Sequence, residues 1–218
     1  TYAHTRHQFG APIEQLPPVA EMVTDMQIDI EAARALTYET SRICDLENSN
    51  QRLVEYGDLA VDEKKHRKKT LRTLKRRNGM LTPMTKYYAS EMAMRVADTA
   101  LQVLGGSGYM QDYPAERHLR DARITTIYEG TSQLQIVAAS RGVSSGVFES
   151  YVAEFEQKPC DDPVLSPLKE KLADGKRRIV EAVALVKEQS PRYLDLSGRR
   201  LVDSALVVII GHLLIGQA

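Results

Sequence analysis

The side chain best placed to do chemistry in this sequence is a single acid. Glu129 stands between Tyr128 and Gly130, at the end of a short apolar piece, Thr125 to Tyr128, that reads as extended chain. A carboxylate held there at the edge of an apolar cavity would have its pKa raised toward that of a useful general base. The other reading is a surface glutamate in a turn, and spacing alone favours it. A second feature is the run Leu104-Gly105-Gly106-Ser107-Gly108. It follows a helical pattern rather than a strand, so it is no dinucleotide fingerprint. It reads as a helix stop followed by a loop in which backbone can approach another group closely. His4, His7, His66, His118 and His212 have no partner at metal-ligand spacing, and no metal site is expected. The two cysteines, Cys44 and Cys160, form neither a CxxC pair nor a framework, which suits a reduced intracellular protein, and a cytoplasmic location is expected.

These residues need elements to position them. Val19, Met22, Val23, Met26, Ile30 and Ala33 recur at helical spacing after Pro17, and the pattern is followed to about Leu46, where Asn48-Ser49-Asn50 is expected to break it. Met84, Tyr88, Met92, Val96, Ala100 and Leu104 make a second stripe that ends at the glycines. Asp112-Tyr113-Pro114 opens a short helix, and Thr131 or Ser132 caps another that passes through Leu134, Val137 and Ala138. Beyond the Gly and Ser of 142 to 146, two more helical patterns follow, one from Leu168 to Val186 and one from Leu201 to His212. No segment alternates like a strand over more than four residues. The expected fold is all-α, an antiparallel helical bundle with additional C-terminal helices.

The chain has 218 residues, 43% hydrophobic and 27% charged, with 29 basic and 29 acidic side chains, which excludes a disordered or collagen-like polymer. Its zero net charge hides an asymmetry. Residues 1–63 carry 12 acids and 4 bases, whereas Lys64 to Arg77 carry nine bases and no acid. Within that run Leu71 and Leu74 are almost the only apolar residues, so it is expected to be a solvated helix or flexible loop, locally unstable. Contact with an acidic partner or with CoA phosphates is a lesser reading. Nucleic acid is not expected, because no aromatic interleaves the charges for base stacking. The chain opens at Thr1 without a basic and apolar leader, and it stops inside an apolar helix-like run, so both ends read as cut from a longer polypeptide. The apolar stretch Ala205–Ile210 is far too short to span a bilayer.

Four blocks resemble one family. Arg6-His7-Gln8-Phe9-Gly10-Ala11-Pro12-Ile13, Leu101-Gln102-Val103-Leu104-Gly105-Gly106-Ser107-Gly108-Tyr109, Arg117-His118-Leu119-Arg120-Asp121-Ala122-Arg123 and Ile127-Tyr128-Glu129-Gly130-Thr131-Ser132 are similar, in this order, to the C-terminal part of an acyl-CoA dehydrogenase. The resemblance implies that residues 1–142 form the C-terminal helical bundle, with a basic insertion at about 47–81. Residues 143–218 resemble part of the helical extension of longer members.

The resemblance further implies an FAD-dependent enzyme that desaturates acyl-CoA thioesters at the α,β bond, with acyl-CoA as substrate and an electron-transfer flavoprotein as acceptor. Glu129 matches the base that removes the α-proton. A Glu at this place follows the short-, medium- or very-long-chain pattern. Arg6 matches an arginine on the FAD pyrophosphate, Gln102, Val103, Leu104, Gly105 and Gly106 match a segment on its ADP part, and Thr131, Ser132 and Gln133 match further FAD contacts. Tyr128 and Gly130 match residues lining the thioester site. Some of these contacts reach a neighbouring subunit's cofactor in the family, which implies a homodimer or dimer of dimers. Leu16-Pro17-Pro18 departs from the family, where a His-Gln or Phe-Gln pair usually supplies a flavin-side contact. Two relatives keep the same bundle with other roles, acyl-CoA oxidases and DNA-binding flavoproteins of the alkylation response. Since the residues here grip one side of the cofactor only, this stretch on its own is expected to be inactive.

Overall fold

The computed structural model describes residues 1–218. The elements in chain order are α1 (Tyr2–Thr5), β1 (His7–Gln8), β2 (Ala11–Pro12), α2 (Pro17–Tyr56), α3 (Val61–Leu104), α4 (Gly106–Tyr109), α5 (Ala115–Thr125), α6 (Ser132–Ser144), α7 (Val147–Glu156), α8 (Leu165–Gln189) and α9 (Pro191–Ile215). Apart from the two-residue strands of one hairpin, the fold is all-α, as the periodicity indicates. No helix is long and apolar enough to cross a membrane. The chain divides into two compact units, residues 1–34 with 87–132 and residues 35–86 with 133–218.

The first unit holds the N-terminal part of α2 and the C-terminal part of α3. Its N-terminal hairpin pairs His7 with Pro12 and Gln8 with Ala11, and it turns through Phe9 and Gly10 at φ of 54° and 85°. Two successive left-handed residues suit the twist of a tight hairpin. Asp29 of α2 accepts from Arg95 of α3 at 3.1 Å, while Ile13 is buried.

In the second unit α2 and α3 run antiparallel, since Asn50 meets Arg67, Glu47 meets Asn78 and Thr40 meets Thr85. The core there is built from Leu36, Ile43, Met80, Leu81, Met84, Phe148, Tyr151, Val152, Val202, Leu206 and Ile209, all essentially inaccessible to water. Close helix packing has a visible cause at two glycines. A Cβ on Gly142 would lie 2.5 Å from Met80 Cβ, and one on Gly211 would lie 2.7 Å from a Leu172 methyl. Ser190 starts α9 by accepting the Tyr193 N–H at 3.2 Å, with Pro191 in the first turn.

Four expectations are corrected or narrowed. The helix does not break at Asn48-Ser49-Asn50: α2 runs on to Tyr56, because Asn50 donates to the Leu46 carbonyl at 2.9 Å and no proline or glycine interrupts it. It stops at Gly57, where a Cβ would come within 2.5 Å of the Leu53 carbonyl oxygen. Of the two readings of the basic run, the helix holds and the loop does not: it is the first part of α3, mostly exposed, carried by Leu74 in the core, by the Arg67–Glu63 pair at 3.1 Å and by Arg77 bonded to Glu154. Thr125 to Tyr128 is not extended, since the Ile127 and Tyr128 amides both donate to the Ile124 carbonyl and continue a helical turn. Finally, α7 lies at Val147–Glu156, between the Gly and Ser of 142 to 146 and Leu168, where no helix is expected from the sequence. Its buried face, Val147, Phe148, Tyr151 and Val152, is too short a stripe to stand out from sequence alone.

Candidate active site

All candidate residues except Gln133 lie in the first unit. The loop carrying Glu129 leaves α5 at Thr126 and enters α6 at Ser132. The Ser132 amide donates back to the Thr126 carbonyl at 3.1 Å, and the Ser132 hydroxyl donates to Glu91 Oε1 of α3 at 2.5 Å. Thr126 is buried, and its hydroxyl accepts from Arg123. Both ends of the loop are thereby fixed, and Glu129 stands between them, exposed, at φ of 51°. Only Phe9 shares a positive φ among residues other than glycine. A left-handed glutamate costs free energy that its surroundings must hold, and such strain clusters at functional positions. Gly130 follows at φ of 91°, a region open to glycine alone in practice. Tyr128 is 49% exposed and Ile127 46%, so the carboxylate is flanked by uncovered apolar surface.

The glycine turn forms a second cluster. Gly105 adopts φ of 59° and ψ of −142°, and Gly108 is packed so that a Cβ would meet the Leu101 carbonyl at 2.8 Å. Gly106 differs from both: its φ is ordinary and a Cβ would find nothing within 4 Å. The chain itself therefore supplies no reason for glycine at 106, and the space over it is open to a close-lying ligand. Gln102 and Arg6 are exposed, while Val103 and Leu104 are half-buried. Arg6 ends α1, and α1 is fastened to this turn, since the Tyr2 hydroxyl donates to Ser107 Oγ at 3.3 Å and the Tyr2 ring packs edge-on against Tyr113. The first and second motif blocks, about a hundred residues apart in sequence, thus meet through Tyr2.

A hollow of about 650 Å³ opens among α3, α4 and α5, bordered by Leu101, Tyr109, Leu119 and Arg123. Tyr109 ends α4 and Arg123 stands in the last turn of α5, so the hollow borders the elements that follow the glycines and precede the Glu129 loop, while Glu129 and Gly106 themselves are not part of its wall. Thr131 is half-buried, whereas Ser132 is buried with both its donors already engaged inside the chain. Gln133 is exposed on α6. Sequence reasoning missed Glu91, Thr126 and Tyr2. Glu91 and Tyr2 lie far in sequence from the residues they hold, and Thr126, though near Ser132, carries no local pattern that marks it.

The model of the family described as acyl-CoA dehydrogenase, C-terminal domain, matches residues 1–144, and that described as acyl-CoA dehydrogenase C terminal matches residues 144–218. Cyclohex-1-ene-1-carbonyl-CoA dehydrogenase of Syntrophus aciditrophicus is 33% identical over 142 residues, 65% of this chain and 28% of that relative. The mitochondrial short-chain specific acyl-CoA dehydrogenase of Bos taurus is 38% identical over 135 residues, 62% of this chain and 26% of the relative. Among solved structures, an acyl-CoA dehydrogenase of Bacillus anthracis complexed with FAD superposes with a TM-score of 0.68 at 25% identity, covering 97% of this chain and 35% of that one. Caenorhabditis elegans ACDH-11 in complex with C11-CoA shares the fold, with a TM-score of 0.77 at 22% identity over 98% of this chain and 35% of that one. The chain spans under a third of the length of these two curated relatives.

Proposed function

The chain belongs to the acyl-CoA dehydrogenases, as their C-terminal helical region, and on that premise we propose that it supplies the catalytic base and one side of the FAD site in an enzyme that desaturates an acyl-CoA thioester at the α,β bond. The observation that carries this reading is the backbone of Glu129, held left-handed and exposed on a loop whose two ends are fastened to each other and to Glu91. A glutamate in an ordinary surface turn has no need of that strain.

In this reading a carboxylate oxygen of Glu129 takes the α-proton of the thioester, and general-base assistance of this kind is worth about 10²–10⁴ in rate. FAD, when bound, accepts the hydride that leaves the β-carbon. Tyr128 and Gly130 border the thioester. The residues present suit the cofactor: the open space over Gly106 admits close approach, and the exposed Arg6 guanidinium offers a planar fork to a pyrophosphate. Gln102, Val103, Leu104 and Gly105 continue that surface, with Thr131 and Gln133 at the start of α6. Ser132 serves as the fastening of the loop, its hydroxyl and amide being spent on Glu91 and Thr126. Electrons would leave to an electron-transfer flavoprotein, and a neighbouring subunit would complete the cofactor site.

The test is anaerobic flavin bleaching by acyl-CoA in the full-length protein carrying Glu129→Gln. Retained FAD and substrate binding with reduction slowed by at least about a hundredfold supports the assignment. Reduction near the wild-type rate would place the base elsewhere.

A further inference from the structure

The second unit contains a cavity of about 700 Å³ that the proposed catalysis does not use. It opens among α2, α7, α8 and α9, beside the connector that follows α7. The two carboxylates that line its wall, Glu39 and Glu154, and Glu156 nearby are already matched. Glu39 accepts Arg42 twice at 2.7 Å and the Tyr151 hydroxyl at 2.6 Å, Glu154 is bonded to Arg77, and Glu156 to Lys176 at 2.5 Å. Two cations of the wall have no such match. Lys158 places Nζ 5.0 Å from the Phe155 ring centre, and Lys169 donates to the Lys158 carbonyl. The cavity therefore presents surplus positive charge.

His212 adds a second, independent feature. It lines the same cavity, is 3% exposed, and stacks on Phe155 with ring centres 5.8 Å apart. Its Nε2 has no hydrogen-bond partner within the protein. A buried polar atom left in that state is costly, so such atoms are few and mark places where a partner is missing. Leu213 and Ile215 supply apolar wall beside it.

We propose that this cavity binds a small organic oxyanion, a carboxylate or phosphate monoester with an apolar body, its charge against Lys158 and Lys169, a hydrogen bond to His212, and its body on Phe155, Leu213 and Ile215. Burial lowers the pKa of His212, which leaves the ring neutral near pH 7. A neutral imidazole protonated on Nε2 donates to an anion without itself needing a counter-ion. The inference does not depend on the flavoenzyme reading, because it involves none of the residues assigned there.

The experiment follows the His212 ring resonance of the full chain, assigned by its loss in His212→Phe, during separate titrations with octanoate, inorganic phosphate and octanol. Octanoate should shift it saturably, phosphate should do so more weakly, and octanol should not. Lys158 is exposed and Lys169 half-buried, and neither belongs to the core, so the double variant Lys158→Ala, Lys169→Ala should bind octanoate about tenfold or more weakly while melting like the wild type. Phosphate binding without octanoate binding would overturn the apolar part of the proposal. No saturable shift with either anion, equal binding of octanol, or undiminished affinity in the double variant would overturn all of it.

Discussion

The Ser132 hydroxyl donates to Glu91 Oε1 at 2.5 Å while the Ser132 amide donates to the Thr126 carbonyl at 3.1 Å, so one residue ties the Glu129 loop both to itself and to α3. Ser132→Ala removes the first bond and leaves a half-buried carboxylate short of a donor, which costs about 1–3 kcal/mol. At about 2–4 °C per kcal/mol for a chain of this size, the melting temperature should fall by several degrees. In the full-length protein, flavin reduction should slow while FAD stays bound, because the loop loses its hold on Glu129 and the cofactor surface is untouched. An unchanged melt together with unchanged reduction would show that the fastening does not matter.

Gly105 and Gly106 are adjacent, yet they should respond oppositely to alanine. Gly105 sits at φ of 59°, where an L side chain is strained, so Gly105→Ala should destabilise the chain by about 1 kcal/mol. Gly106 has no positive φ and nothing within 4 Å of a built Cβ, so Gly106→Ala should melt like the wild type. If FAD lies over that position, Gly106→Ala should instead weaken FAD retention in the full-length protein. A stable Gly106→Ala protein that holds FAD as well as the wild type would separate the open space from the cofactor.

The helical stripes were legible because each long helix repeats its apolar residues many times over. Met84 to Leu104 and the stop at Gly105 lie where the periodicity puts them. The continuation through Asn48 and Asn50 was not, since these residues favour turns in general and persist here through side-chain bonding to the preceding turn. For the basic run of α3 the sequence left helix and loop open for a related reason: its anchoring depends on the burial of Leu74 against the core and on Glu154, far away in sequence. At the candidate site, Glu129 and the glycines are conspicuous by residue type. Glu91, Thr126 and Tyr2 matter only through contacts that no local pattern encodes.

The order found in α3 also predicts where proteases enter. Lys64 to Arg77 is rich in trypsin sites, but every residue of it is helical, and opening it would pull Leu74 out of the core. Tyr56, by contrast, is 84% exposed at the last residue of α2, beside the non-helical connector 57–60. Brief chymotrypsin treatment should therefore cut after Tyr56 before trypsin, at matched activity, cuts between Lys64 and Arg77. Early tryptic cleavage inside that run would show that the helix opens locally despite its core contacts.

His212 should make the stability of the chain depend on pH just below neutrality. Burial withholds water from an imidazolium there, Lys169 and Lys176 on α8 disfavour its charge further, and Glu156 on α7 only partly opposes them, so the native pKa lies below the ordinary 6.5. On acidification the unfolded chain therefore takes up this proton first, and wherever it holds more protons than the native state, stability rises with pH. The His212 contribution is complete above 6.5 and is lost as pH falls through the lowered native value. Glu39 acts in a separate, more acid window. Burial alone would raise its pKa, but the hydrogen bonds from Arg42 and Tyr151 outweigh burial and hold it below 4.5, so its contribution persists until the pH falls below that value. Thermal melts between about pH 7.5 and about pH 5.5 thus read histidine rather than carboxylate titration. The melting temperature should drop across that interval, and less so in His212→Phe, which keeps an aromatic ring against Phe155 and has no proton to bind. Direct NMR titration of the His212 ring gives an independent check that does not rely on the variant folding. A midpoint at or above 6.5 would refute the assignment.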